Sequence, residues 1–427
     1  MNRAALFLIT MLFINCSNFT TEAPVSNSSP GTPPESYAES DNYAQSVSSQ
    51  LIQANLEFAL SSFHELNIQE SPTANIFYSP LSLSMILAMT YNGAAGATAQ
   101  AMAAGMNVEN WSIGNFNQQY NNLILSLMNP DIDIILQTAN SMWLDTGYPL
   151  NTNFQQTIID YYLSQIANLP FIHPATVETI NNWISNHTNG LIDNVVSYPL
   201  PEAAVFVLVN ALYFRGHWTY QFDPAETVNA PFFNAAGTVF IPTMRSAGEE
   251  YTYFYGNGFK AVRMPYGRGV ISMYIFLPDV GTDIDEFIAS LTAADLNQCW
   301  NSFQDLNSYW GTEAMFHKFY LPKFKVEYEK VLNNTVETLG MGIIFSDASD
   351  FTGISIPPHD PWIALIKQKA FIEVNEEGTE AAAATIEIGL EGELPEFIIN
   401  RPFFFLLRDD RSGSILFIGK IVEPQYD

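Results

Sequence analysis

Two hydrophobic periods run along this chain, and the exchange of one for the other divides it. Leu56, Ala59, Leu60 and Phe63 stand at i, i+3, i+4 and i+7, the spacing of an amphipathic helix. A second helix is predicted over 81–91, with Ser79 as its cap, Pro80 at its first position, and Gly93 and Gly96 to stop it. A strand is predicted over 132–144 and helices over 151–163 and 178–188. From Ala203 the texture turns to strands. Residues 204–214 are almost wholly apolar, as a strand buried on both faces requires. Further strands are predicted over 232–242, 258–264, 270–277, 313–326, 397–407 and 415–422, with helices at 284–291 and 328–339. No repeat is visible. Helices first and strands later predict an α+β domain with large sheets.

One stretch does not fit its surroundings. Residues 363–374 are strand-like, with Phe371, Ile372 and Val374 close together. They run into Glu376, Glu377, Gly378, Thr379, Glu380, Ala381, Ala382, Ala383, Ala384 and Thr385, a run that helix propensity alone would coil. A strand that leads into glycine and then small side chains has little apolar anchoring. It can swing, and it can enter a narrow slot without steric penalty.

Charge and cysteine content narrow the partners. The net charge is −28, and no Lys or Arg occurs between Arg3 and Arg215. Phosphate backbones would repel such a chain, so no nucleic acid is expected as a partner, nor a heparin-like polyanion on the first half. Cys16 and Cys299 are too far apart and too few for a disulfide framework or a metal site, and Cys299 reads as a buried apolar residue. Met1-Asn-Arg3 followed by an apolar run over 4–14 predicts a signal peptide over 1–15, too short to span a bilayer. Cys16, directly after that run, resembles the lipidated cysteine of bacterial lipoproteins, although Phe13 and Asn15 depart from that pattern. Residues 16–46 read as a flexible Ser/Thr/Pro-rich tether, with the folded part from 47 to 427. The protein is expected to be secreted or held at the cell surface by a lipid, its one contact with a membrane.

Several catalytic motifs fail. Gly93-Ala-Ala-Gly96 follows a helix rather than a strand, so it is no phosphate loop. His64-Glu65 lacks a second histidine four residues on, and no Gly-x-Ser-x-Gly occurs. The six histidines are scattered. The acidic pairs Glu249-Glu250 and Asp409-Asp410 read as solvated surface. No enzyme activity, metal or cofactor is expected.

A set of motifs in fixed order carries a resemblance. Asn75-Ile-Phe-Tyr-Ser-Pro-Leu-Ser-Leu-Ser84 and Tyr91-Asn-Gly-Ala-Ala-Gly-Ala-Thr98 come first. Leu208-Val-Asn-Ala-Leu-Tyr-Phe-Arg-Gly-His-Trp218, Phe222-Asp-Pro224, Met264-Pro-Tyr266 and Ser272-Met-Tyr-Ile-Phe-Leu-Pro278 follow. Leu321-Pro-Lys-Phe324, Leu339-Gly-Met341, Phe351-Thr-Gly353, Asn400-Arg-Pro-Phe403 and Leu416-Phe-Ile-Gly419 complete it. Together they resemble the serpins, serine protease inhibitors, over about residues 47–425. The resemblance implies eight or nine helices packed around three β-sheets, with a large central sheet and an exposed reactive-centre loop over 376–398.

It also implies a mechanism. A protease cuts the loop and is held as an acyl-enzyme, and the loop then inserts as a new strand of the central sheet. Gly378 would be the swivel and Thr379 the first residue to enter. Strand alternation puts Thr379, Ala381, Ala383 and Thr385 on one face, all small enough to avoid an overpacking cost of about 1–3 kcal/mol per misfit. Glu387 continues that face and breaks its character. Lys323 matches the family lysine that pairs with the hinge glutamate, here Glu376, and Trp218 the tryptophan of the same region. Ser79, Ser82 and Asn210 match a polar cluster beneath the sheet, where Gln368 replaces a common histidine.

The scissile bond stays open on sequence alone. Counting from Gly378 places it after Gly392, before Glu393; counting back from Pro402 places it after Glu391, because the loop is one residue short. Leu390 and Leu394 are the apolar side chains nearby. No basic residue occurs over 373–400, so chymotrypsin-, elastase- or glutamyl-endopeptidase-like proteases fit and trypsin-like ones do not. The implied function is a monomeric suicide inhibitor of serine endopeptidases, with cysteine endopeptidases as a second target class. A non-inhibitory carrier or binding scaffold is the alternative.

Overall fold

The computed structural model describes residues 33–188, 190, 192–200, 204–246, 251–304, 318–356, 361–376 and 396–426. Ten α-helices stand among these residues, together with three sheets of five, six and four strands. The mixed α+β class follows the sequence expectation. Helix Tyr37–Gln45, near the start of the described residues, and helix Ala293–Gln304 are not predicted from the sequence.

The five-stranded sheet runs in the order Phe324–Val331, Ile363–Val374, Phe206–Gly216, Ile134–Asp145, Gln165–Leu169. Its pairings alternate antiparallel, parallel, antiparallel, parallel. Phe206–Gly216 is apolar apart from Asn210 and Arg215 because both of its faces are covered. Phe206, Leu208, Leu212 and Phe214 enter the main core, while Val207, Val209 and Tyr213 face a second cluster. Ile180 and Ile184 of helix Pro174–His187 cap that second cluster. The six-stranded sheet is antiparallel throughout, and the phenylalanine-rich strand Phe403–Asp409 lies near its centre.

Several predicted elements divide where the chain changes sheets. The sequence predicts one strand over 232–242; the structure makes a hairpin of Val228–Asn234 and Gly237–Ser246. Asn234 Oδ1 accepts from the Ala236 and Gly237 amides, and Gly237 takes a φ of 136° that a side chain would strain. The predicted strand 313–326 is Lys318–Pro322 in the four-stranded sheet and Phe324–Val331 in the central one. Lys323 is left at the junction. Likewise 397–407 splits into Glu396–Ile398 and Phe403–Asp409 around Arg401-Pro402. The helix predicted over 328–339 shrinks to Asn333–Val336 and a wide turn over Glu337–Met341, because Phe324, Val326 and Tyr328 alternate inward as a strand.

The tether expectation for 16–46 fails at its C-terminal end. Tyr37–Gln45 is a helix, capped by Ser36 and packed on helix Ile113–Leu127. Only Ser40 and Ala44 are buried along it, so no apolar stripe announces it. Polar anchors hold it instead. Asp41 meets Arg268 at 2.7 Å and Arg411 at 3.0 Å, and Ser40 donates to the Ser126 carbonyl at 2.7 Å. Asp409-Asp410 is corrected with it. Asp409 is fully buried against Arg411 at 2.9 Å, and Asp410 accepts from Arg263, Arg408, Ser272 and Tyr274. Cys299 is buried as expected, and burial pushes its thiol pKa up.

Burial alone would raise the Asp41 carboxyl, but its bonds to Arg268 and Arg411 outweigh burial and hold it below its ordinary 3.8. That stabilisation is complete above pH 3.8 and is lost as pH falls through the lower folded value. Asp41→Asn is therefore expected to lower stability by about 1–2 kcal/mol at pH 7. Urea unfolding of both proteins checks it: the gap should close at acid pH, and equal midpoints at pH 7 would remove Asp41 as an anchor.

Candidate functional site

The strands Ile363–Val374 and Phe206–Gly216 pair in parallel from Ile363↔Phe206 up to Phe371↔Tyr213, and no further. Beyond that point each follows its other neighbour. Val374 pairs with Phe324 and Gly216 with Ile134. The divergence opens a cleft of ≈ 250 Å³ lined by Tyr213, Gly216, Trp218, Tyr266, Glu373 and Asn375, among others.

A set of side chains pins the chain where it leaves the sheet at this cleft. Trp218 stacks on Tyr266 at 4.1 Å, and its indole N–H donates to the Asn375 carbonyl at 3.0 Å. Glu376 Oε2 lies 2.7 Å from Lys323 Nζ, and Oε1 accepts from Thr227 at 2.6 Å. Lys323 also sits over the Tyr426 ring at 4.1 Å, while the Tyr426 hydroxyl donates to Glu373 at 2.9 Å. Burial works against both charges of the pair. Even so, the bonds from Lys323 and Thr227 hold the Glu376 carboxyl below its usual value. The Lys323 ammonium is likewise raised above its own by Glu376 and Tyr426. Lys323 reaches this position because the sheet change at Pro322 leaves it outside both strands.

Lower down, on the inner face, a polar row crosses three strands. Register places Gln368 beside Asn210 and Asn210 beside Asn140. Gln368 Nε2 donates to Asn210 Oδ1 at 3.3 Å, and Asn210 Nδ2 donates to Asn140 Oδ1. The Gln368 amide also closes a ring with the Ser79 backbone, accepting from its N–H at 2.8 Å and donating to its carbonyl at 3.0 Å. Ser79 Oγ donates to the Leu416 carbonyl at 2.7 Å, contacts Ser82 Oγ at 3.1 Å and accepts from the Ser82 amide at 3.2 Å as the helix cap. All five side chains are buried. Gln368 thus ties the hinge strand to both its parallel neighbour and the helix start at Pro80.

The structure brings Ser79, Ser82, Asn210 and Gln368 together, and separately Trp218, Lys323 and Glu376. Asn140, Thr227, Tyr266, Asn375 and Tyr426 join these groups without being singled out by the sequence. For Asn140 the signal would have been register: a lone asparagine on the inner face, level with Asn210. Of the hinge only Glu376 is described. Glu377, Gly378, Thr379, Glu380, Ala381, Ala382, Ala383, Ala384 and Thr385 lie outside the described residues. So do Glu387, Leu390, Glu391, Gly392, Glu393, Leu394 and Cys16. The chain is described again at Glu396, in a strand parallel to Lys318–Pro322. Among the described residues no group of three His, Cys, Asp or Glu side chains could hold a metal.

Mechanically, the arrangement permits one kind of insertion. A chain leaving the top of Ile363–Val374 and reversing would run antiparallel to that strand and to Phe206–Gly216 alike, because those two are parallel. Parallel pairing is slightly weaker per residue than antiparallel. One parallel ladder would be exchanged for two antiparallel ones. The polar row must separate for this to happen, so it contributes to the barrier. Gln368→Leu would leave the Ser79 amide and carbonyl without side-chain partners in the core. It is expected to cost about 1–3 kcal/mol, read as a lower urea midpoint; an unchanged midpoint would show that the row contributes nothing.

Three kinds of likeness place this architecture. The family model for serpins, serine protease inhibitors, matches residues 53–424. An uncharacterized serpin-like protein of Methanosarcina acetivorans is 30% identical, over 99% of this chain and 98% of its own. Leukocyte elastase inhibitor A of Rattus norvegicus is 32% identical, over 88% of this chain and 100% of its own. Among solved structures, Arabidopsis AtSerpin1 in its native stressed conformation superposes with a TM-score of 0.77 at 26% identity, covering 88% of this chain and 98% of that one. With the matched model spanning most of its length, this chain belongs to the serpin family.

Proposed function

We propose that the protein is a suicide-substrate inhibitor of serine endopeptidases, with cysteine endopeptidases as a second class. The observation that carries this reading is the closed parallel pair, open only at the cleft beside Glu376, directly ahead of Gly378 and the run of small residues. The protease serine Oγ attacks a loop carbonyl, and an ester forms as the peptide bond breaks. The new amino terminus takes the proton and departs. The freed strand, led by Thr379, then enters between Phe206–Gly216 and Ile363–Val374 and carries the acyl-enzyme with it before water can hydrolyse the ester. The chain itself is an inhibitor and catalyses no turnover of its own.

Leu390, Glu391, Gly392, Glu393 and Leu394 carry the bond that is cut. The absence of basic residues over 373–400 supports chymotrypsin-, elastase- or glutamyl-endopeptidase-like targets. The likeness to a protein named leukocyte elastase inhibitor supports the same range. The protein is proposed to act as a monomer outside the cell, exported by residues 1–15 and tethered through Cys16 and the residues that follow. No helix among the described residues is long and apolar enough to cross a membrane. Glu387, a carboxylate on the face that enters the sheet, favours a second reading as a non-inhibitory carrier or scaffold.

One gel separates the two readings. Mixed with chymotrypsin, elastase or a glutamyl endopeptidase, the protein should give an SDS-stable covalent band with at least one of them and none with trypsin. Clean cleavage by all of them supports the scaffold reading, and a stable trypsin band cut within 388–394 contradicts the specificity. Ala383→Arg should keep the cleavage and cut the yield of covalent complex at least tenfold, because a buried arginine without a partner opposes insertion by several kcal/mol. An unchanged yield would show that this face does not enter the sheet.

A further inference from the structure

The turn 267–270 joins strands Phe259–Tyr266 and Ile271–Pro278 of the six-stranded sheet, and it grips two strands of the central one. Strand Phe206–Gly216 runs past its end onto this turn. The Gly267 amide donates to the His217 carbonyl at 2.7 Å, and Thr219 Oγ1 donates to the Gly267 carbonyl at 2.6 Å. Gly216 and Trp218, on either side of His217, line the cleft. Arg268 reaches the link that feeds strand Ile134–Asp145. Its amide donates to Asp131 Oδ2 at 2.7 Å and its Nη2 to the Pro130 carbonyl at 3.2 Å. Asp131 is buried and also accepts from the Asp133 amide at 3.0 Å. The Asp133 carbonyl accepts from the His217 amide at 3.0 Å, which ties the two strands to each other. Gly267 has a φ of 51°, and a Cβ there would meet the Asp131 carboxylate at 2.7 Å, so this close fit calls for glycine.

The other side of the seam is anchored to the same sheet. Gln368 binds the Ser79 backbone, and Ser79 Oγ binds the Leu416 carbonyl of strand Ile415–Ile421. To admit a strand, Phe206–Gly216 must move away from Ile363–Val374 by one further strand spacing, about 4.8 Å. Hydrogen bonds of about 3 Å do not survive a displacement of that size, so one set of anchors must let go. Gln368 and Ser79 are buried, and parting them would leave polar groups unpaired in the core. The Arg268 side chain is 38% exposed and can return to water. Release therefore costs least at Arg268. Helix Tyr37–Gln45 sets the strength of that grip: Asp41 Oδ1 accepts from Arg268 Nη2 at 2.7 Å, and the Tyr37 ring lies 5.5 Å from the guanidinium.

We propose that Arg268 is a positioning residue for loop insertion, holding Phe206–Gly216 and Ile134–Asp145 to the six-stranded sheet until the seam opens. Its release, tuned by Asp41, is a step of that opening. The role in insertion rests on the inhibitory function proposed above; the grip itself does not.

Hydrogen exchange of the native full-length protein, read by mass spectrometry, tests the grip without a protease. In Arg268→Met, peptides covering 206–219 and 363–375 should exchange at least tenfold faster than in the wild type, and Arg268→Lys should return most of the protection. Lys330→Met removes the ion pair with Glu70 on the edge strand and controls for a general loss of stability; it should change the same peptides less than threefold. If Arg268→Met does not fold, Asp41→Asn keeps the arginine and should speed those peptides at least threefold. With a protease that gives the covalent band, Arg268→Met should form the complex at least threefold faster at saturating protease. Wild-type exchange over 206–219 in a folded Arg268→Met protein, or an equal gain in Lys330→Met, overturns the grip. Faster exchange with an unchanged rate of complex formation overturns its role in insertion. A wild-type protein that forms no complex with any protease overturns that role together with the inhibitory function, and the exchange result still decides the grip.

Discussion

A parallel pair in the middle of a sheet is a compromise. The ladder between Ile363–Val374 and Phe206–Gly216 satisfies the backbone of both strands, yet a reversed strand between them would satisfy more of it. Much else in the molecule bears on that one pairing. The core beneath holds both strands in place through Ile366, Ala370, Leu208 and Leu212. The helix above covers the other face through Val207 and Val209. The ladder ends at Phe371 and Tyr213, and the short gap above them is where the proposed insertion would begin.

The two polar groups divide the work of holding it closed. The upper one, from Trp218 to Glu376, fixes the backbone at the mouth of the gap, with a charge pair whose side chains are 15% and 10% exposed. Removing one partner would leave the other charge largely desolvated, which is costlier than losing a surface ion pair. The lower one, from Asn140 to Gln368, consists of neutral bonds worth roughly 1 kcal/mol each, which can break singly. A firm anchor at Glu376 and a weaker row along the seam suit the opening of the sheet that the proposed inhibition requires.

The fold was legible in particular residues, and its failures have physical causes. The apolar run at 204–214 reads as a doubly buried strand because hydrophobic burial is local and shows in composition. Gly378 and the alanines stand out because their small side chains conflict with the strand before them. Helix Tyr37–Gln45 was missed because its anchors, Arg268 and Arg411, are more than two hundred residues away. Asp409-Asp410 misled for the same reason: a carboxylate belongs to the core only once arginines and hydroxyls converge on it. Asn140 could not be singled out without the register that sets it beside Asn210. Lys323–Glu376 came from the resemblance alone, and nothing in the spacing of the two residues would have paired them.

Locking the seam tests the account most directly. Val209 and Lys367 are register partners on the outer face, at the roughly 5 Å separation of neighbouring strands that a disulfide can bridge. In a Val209→Cys/Lys367→Cys protein, the oxidised form should be cleaved by a target protease without forming an SDS-stable complex, and reduction should restore the complex. A covalent complex formed equally well with the disulfide intact would contradict insertion between these two strands.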